Sequence, residues 1–216
     1  MYDRTLAIYC FVDDLLKAMQ HREDQRCEFA DSEVLTCALC AMLWFGGNFE
    51  SSRSFLHSSG MMPRMLSRSR LSRRLSRLSD LIEMVFHQLG TTLKELNLES
   101  RYALDSFPVA LCDNIRIPRA RLAQQAHYRG YVASKRRYLY GVRVQVMVTV
   151  AGLPVEFCIL PASLADVAGV AHLPLALPAG AQVADDCAYT FYECEVTLAE
   201  SDGIKLLVGR KSKSKR

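Results

Sequence analysis

Two aspartates stand where a carboxylate needs a reason to be. Asp105 interrupts the apolar run "RYALDSFPVAL", and Asp186 follows "AQVAD", where a parallel strand is expected to end. Aspartate is disfavoured inside strands and is rarely buried without a partner, so an Asp105 buried beside a basic segment calls for compensating charge. Open α/β sheets place their sites at the C-terminal ends of their strands. If the strands that carry the two acids lie side by side, both carboxylates face one crevice. They then offer hard oxygen ligands for Mg2+ or Mn2+, and two such ions about 4 Å apart clamp the attacking and leaving oxygens of a phosphodiester. Each acid also has an ordinary reading as a turn cap or an arginine's partner. Asp185 competes with Asp186 for the position, while Asp113 and Asp166 suit plain loop roles.

The charge distribution points to a polyanion. The 216 residues carry 27 Lys and Arg against 23 Asp and Glu, a net charge of +4, but the bases come in blocks. Arg64, Arg68, Arg70, Arg73, Arg74 and Arg77 share the segment 63–79 with no acid. A second block runs through Arg116, Arg119, Arg121, Arg129, Lys135, Arg136 and Arg137, and a third occupies the tail from Lys205 to Arg216. Such blocks fit nucleic acid, with a solvated charged surface as the plainer alternative. No run of about 18 uncharged apolar residues occurs and the opening Met1-Tyr2-Asp3-Arg4 lacks a signal-peptide pattern, so a soluble, cytoplasmic chain with no membrane partner is expected. Cys37 and Cys40 form a C-x-x-C pair without a second pair or a spaced His-His, which favours core thiols over zinc. The five histidines, His21, His57, His87, His127 and His172, show no ligand spacing and are assigned surface or core roles.

The elements that must position these residues fall into two halves. Residues 1–98 read as helices: "DSEVLTCALCAMLWF" starts at Asp31 as N-cap and stops at Gly46-Gly47, a short helix covers "FESSRSFLHSS", and a break spans 60–63. Beyond it Leu71, Leu75, Leu78, Ile82 and Val85 recur at helical steps along one face, with Arg70, Arg73, Arg74 and Arg77 around the rest. That succession is helix-turn-helix-like, and its last helix would reach a DNA groove. Residues 99–216 read as β, β, β, α, β, α, β, with a hairpin turning at Ala151-Gly152 and later units that require parallel pairing. The boundary is expected within 96–100.

The segments "LDSFPVALCDNIRIPRARL", "YRGYVASKRRYLYGVRVQVMVTVAGLPVEFCILPASLADV" and "DDCAYTFY", in that order, resemble bacterial insertion-sequence transposases of the 982 family, which are DDE transposases. The resemblance extends over nearly the whole chain and is strongest from about 101 to 209. It implies an α/β fold: a ribonuclease H-like mixed sheet of five strands with flanking helices, preceded by an all-α helix-turn-helix-like domain. The family's first acid falls on Asp105 of "DSFP", and its second falls on Asp186 of an Asp-x-(Gly/Ala)-Tyr segment completed by Cys187, Ala188 and Tyr189. Asp185 stands where the family usually has Gly, and Cys187 where Lys is common. The implied reaction is cleavage at a transposon end by water activated between two Mg2+ or Mn2+ ions, then attack of the freed 3′-hydroxyl on target DNA. Asp105 would bridge the ions and Asp186 would bind one. Arg68, Arg70, Arg73, Arg74 and Arg77 would serve DNA recognition, and the block from Arg116 to Arg137 would lie near the phosphates. Assembly as a homodimer on DNA is a further implication.

The third acid implied by the resemblance, a Glu on a later helix, has no counterpart; Glu193, Glu195 and Glu200 come too early. Two Mg2+ ions bring about +4, which three carboxylates and a phosphate nearly cancel, whereas two carboxylates leave roughly +1 and too few ligands for the second ion. The expectation is therefore a truncated or frameshifted transposase with impaired activity. The alternative is a non-catalytic DNA-binding remnant or a regulator of transposition. A sheet domain lacking a covering helix would also expose one of its faces.

Overall fold

The computed structural model describes residues 1–24, 26–112, 114–119, 125–132, 136–186, 192–201 and 203–209, without the side chains of 114–116, 132, 193 and 194. Two compact units emerge, Met1–Phe86 and His87–Arg216. The architecture is mixed α/β. No helix among the described residues is long and apolar enough to cross a membrane.

The first unit is built on α1 (Tyr2–Ala18), α2 (Asp31–Trp44), α3 (Phe49–Ser58) and α4 (Arg68–Arg77), and it includes the opening turns of α5 (Ser79–Glu95). α2 is its centre and packs against α1, α3 and α4. Its apolar residues are spread around the helix, and Val34, Leu35, Cys37, Cys40 and Ala41 are all buried. Val34, Leu35, Cys37 and Cys40 join Val12, Leu16, Phe29, Leu56, Leu71 and Leu78 in one core. Ala30, not Asp31, is the N-cap; Asp31 is the first helical residue, and Glu33 reaches back to accept the Ala30 N–H at 2.7 Å. At the other end Gly46 takes φ +57°, a conformation that suits glycine, and the Gly47 N–H returns to the Ala41 carbonyl at 2.9 Å.

The long leucine-bearing helix expected beyond residue 68 is two helices. The Leu78 N–H bonds the carbonyls of both Arg74 and Leu75, closing α4 before α5 begins at Ser79. The break resets the helical phase, so Leu71, Leu78 and Leu81 are buried while Ile82, expected on the same stripe, is 41 % exposed.

The C-x-x-C pair is core, as its surroundings suggested. The Cys37 thiol lies 3.8 Å from the Ser52 hydroxyl and the Cys40 thiol 4.0 Å from that of Thr5, so the two sulfurs have different partners. Burial pushes both thiols above their ordinary range.

The second unit is a curled six-stranded mixed sheet: β1 (Arg101–Ala110), β2 (Arg129–Val132), β3 (Arg137–Thr149), β4 (Pro154–Pro161), β5 (Gln182–Asp185) and β6 (Lys205–Val208). β3 runs antiparallel to β1, and two strands divide its remaining pairing: β2 takes residues 137–140 and β4 takes 142–148. β5 pairs parallel to β1, and β6 parallel to β5. The expected hairpin is present, its turn closed by the Gly152 N–H on the Thr149 carbonyl at 2.8 Å. Strand β2 was not anticipated, since its four residues Arg-Gly-Tyr-Val are too short to show a period. Helix α6 (Asp166–Val170) stops earlier than the expected limit at Pro174, and α7 (Tyr192–Ser201) lies between β5 and β6.

One face of the sheet carries the core: Tyr102, Leu104, Met147, Val155, Cys158, Leu160 and Val183, closed by Val170, Leu173, Leu198 and Ile204. Glu156 sits on this face, fully buried. It accepts from Lys94 Nζ at 2.9 Å and from the N–H groups of Leu175 and Ala176 at 2.9 and 3.0 Å, tying the end of α5 and the segment after α6 to β4. The opposite face is open. Phe107, Val109, Ile159 and Leu207 there are 51, 38, 58 and 42 % exposed.

Two outcomes follow. Glu156→Ala strands the buried Lys94 ammonium and two N–H groups and should lower the unfolding free energy by about 3 to 5 kcal/mol in denaturant titrations, whereas Arg101→Ala, which breaks a surface pair with Glu99, should cost less than about 1 kcal/mol. Thiol titration of the native chain should label exposed Cys10 at once and reach buried Cys37, Cys40 and Cys158 only after unfolding.

Candidate metal and nucleic-acid site

The burial expected for Asp105 is corrected by the structure: its side chain is exposed. Along β1 burial alternates, with Tyr102, Leu104 and Ser106 turned to the core and Arg101, Ala103, Asp105 and Phe107 to the open face. The apolar letters around Asp105 were thus a strand with an apolar residue on each face, and the acid falls on the solvent parity. One of its oxygens, Oδ1, accepts the Ser106 N–H at 2.7 Å.

Asp186 comes one residue beyond β5 and is also exposed. The parallel register pairs Ala103 with Ala184, and two residues further along each chain are Asp105 and Asp186. The ladder ends at Ala103 and Ala184, so Asp105 follows it within β1 and Asp186 follows it just past the end of β5. Asp185 differs: Val183, its neighbour of the same parity, is core, and both Asp185 carboxylate oxygens are buried.

Asp166 is not a plain loop residue. As the first residue of α6 it accepts from the Ser106 hydroxyl and from Arg143, while its main-chain carbonyl accepts from Gln145 Nε2. This network fastens α6 to the core face of β1 and β3, directly behind Asp105. Asp113 lies outside the described residues, as do Arg121, Lys135 and the Cys187-Ala188-Tyr189 segment. Glu195 and Glu200 are on α7, as is Glu193.

Of the basic block from Arg116 to Arg137, the described side chains of Arg119, Arg129, Arg136 and Arg137 are exposed. The side chain of Arg116 is outside the description. The Arg129 guanidinium stacks 4.7 Å from the centre of the Tyr138 ring, and the Tyr131 and Tyr138 rings meet edge-on at 5.2 Å, both more than half exposed. Exposed aromatic rings set among arginines suit contact with nucleic-acid strands. Sequence reading picked the arginines but missed the two tyrosines, which become a pair only through the β2–β3 register.

In the helical unit Arg68, Arg70, Arg73 and Arg77 are exposed along α4, but Arg74 is committed elsewhere. Its Nη2 lies 2.5 Å from Oδ1 of Asp31, whose side chain is 9 % exposed. The other oxygen of Asp31 meets His21 Nε2 at 2.9 Å, and the Asp31 N–H bonds Glu23 Oε1 at 2.7 Å. His21, Glu23 and Asp31 present ligand atoms within 4.8 Å of one another, a grouping that could hold a metal ion. The expectation that the histidines stand apart from ligand clusters is thereby corrected for His21, which a loop between α1 and α2 brings to an acid ten residues away. A cation there would share Asp31 with the Arg74 guanidinium, so the arrangement as it stands is a neutralised buried acid that locks α4 to α2.

Arg74→Ala should therefore destabilise the chain by about 3 kcal/mol, because the buried Asp31 loses its cation, while Arg73→Ala should stay within about 0.5 kcal/mol, as read by chemical denaturation. Compared with protein-family models, curated proteins and solved structures, the chain returns no match in any of the three.

Proposed function

We propose that the chain is a DDE-type transposase with a ribonuclease H-like sheet domain, acting on DNA phosphodiesters. The observation that carries this reading is the β1–β5 register: the parallel ladder ends at Ala103 and Ala184, and an exposed aspartate, Asp105 or Asp186, follows two residues later on each segment. Brought together, these two carboxylates would be a donor set suited to Mg2+ or Mn2+. Such ions, when bound, stabilise charge on the phosphate and favour ionisation of the attacking water. The chain's own residues supply position: the Ser106 N–H orients the Asp105 carboxylate, the Asp166 network holds β1 from behind, and Arg129, Arg136 and Arg137 offer cations to a DNA strand.

A second reading, a DNA-binding chain without catalysis, is favoured by the arginine-rich surface of the helical unit, which needs neither acid. Mn2+ titration followed by electron paramagnetic resonance separates the two. Asp105→Ala should weaken Mn2+ binding at least about tenfold and remove Mn2+-dependent nicking while leaving DNA affinity unchanged. Unaltered Mn2+ affinity in Asp105→Ala would defeat the enzyme reading and leave the binding one.

A further inference from the structure

Two concavities meet along α4. One, of about 270 Å3, is lined by Leu66, Arg70, Arg73, Arg74 and Arg77. The other, of about 550 Å3, lies between the loop around Arg26 and the turn 63–67, and its lining includes Arg26, Glu28, Arg64, Arg70 and Arg74. They share Leu66, Arg70 and Arg74, so together they form one groove. Its lining carries arginines from three separate segments against a single acid, Glu28.

The arginines are not equivalent. Arg74 is bound to Asp31, whereas Arg26, Arg64, Arg70, Arg73 and Arg77 have exposed side chains, that of Arg26 in a loose surface pair with Asp24 at 3.9 Å. Arg70, Arg73 and Arg77 follow a three-then-four spacing on one side of α4 and span about 10 Å, the axial rise of about three phosphates on a DNA strand. Arg68 is about 160° around the helix from Arg70. It lines a different concavity, with Glu50, Leu71 and Leu75, and its charge acts on Glu50.

We infer that this groove is a track for the phosphate backbone of duplex DNA, with Arg26 and Arg64 as phosphate ligands alongside Arg70, Arg73 and Arg77, and with Arg68 outside it. The planar guanidinium forks match phosphate oxygens and cost little desolvation at an open groove. The inference rests on the DNA-binding part of the reading above and adds the side of α4 that faces the strand. It also adds two residues that lie outside the arginine-rich helix itself.

Fluorescence anisotropy with a labelled duplex of arbitrary sequence, repeated over a range of KCl concentrations, tests it on the full chain. Arg26→Gln with Arg64→Gln should weaken binding and flatten the slope of log K against log salt by about 0.9 for each lost contact, while Arg68→Gln keeps the wild-type slope. Circular dichroism melts should coincide for all three proteins, since the substituted side chains are exposed. The groove is refuted if the double variant keeps the wild-type slope, if Arg68→Gln flattens it as much, or if polyglutamate competes as well as unlabelled duplex. Wild-type chain that shows no salt-dependent binding overturns the DNA reading itself, and the groove with it. The Mn2+ titration of Asp105→Ala reports on the acids independently of every one of these outcomes.

Discussion

The candidate chemistry depends on one registry, that of β5 against β1. Tyr102 opposite Val183 places a buried residue on each strand at the same height, and the next parity step places Ala103 opposite Ala184 on the open face. A one-residue slip of β1 against its neighbours would turn Tyr102 and Leu104 to water and drive Asp105 into an apolar core. An unpaired carboxylate there costs several kcal/mol, in addition to the lost burial of the two large side chains. The core thus enforces the position of the acids without touching them. The Ser106 side chain, bonded to Asp166, strengthens the same parity from the core side.

Buried charge is used in both units for the same purpose, to fix one element against another. Asp31 holds Arg74 of α4 against the start of α2, and Glu156 holds Lys94 of α5 against β4 together with two N–H groups of the segment after α6. Replacing either pair by apolar residues need not weaken the fold, but removing one partner leaves a largely buried charge without its ion-pair partner. The pairs therefore specify geometry more than they add stability. In α4 this divides the arginines by role: one is internal, and its neighbours on the helix are left to face solvent.

Much of this was legible in the chain. The switch from helical to strand patterning, the hairpin at Ala151-Gly152, the parallel units that follow and the core character of Cys37 and Cys40 all follow from local periodicity and turn chemistry. Asp105 was singled out as a carboxylate inside a strand and Asp186 as one where a parallel strand should end, although Asp105 proved exposed. What escaped were features with weak local signals. Strand β2 is too short to show alternation, the break at Leu78 lies inside an unbroken leucine spacing, and the Tyr131–Tyr138 pair exists only across a ladder. His21 and Arg74 become partners of Asp31 through a loop and through helix packing, at separations of 10 and 43 residues.

By itself the amino-acid order determined which segments could be helix or strand, where the positive charge concentrates and which acids stand out, since each of these is set by side chains within a few residues of one another. Tertiary structure alone decided which side of β1 faces water, which arginine of α4 is internal and which concavities the others line. Those outcomes depend on what lies across a strand ladder or a helix contact, and no window of neighbouring residues contains that information.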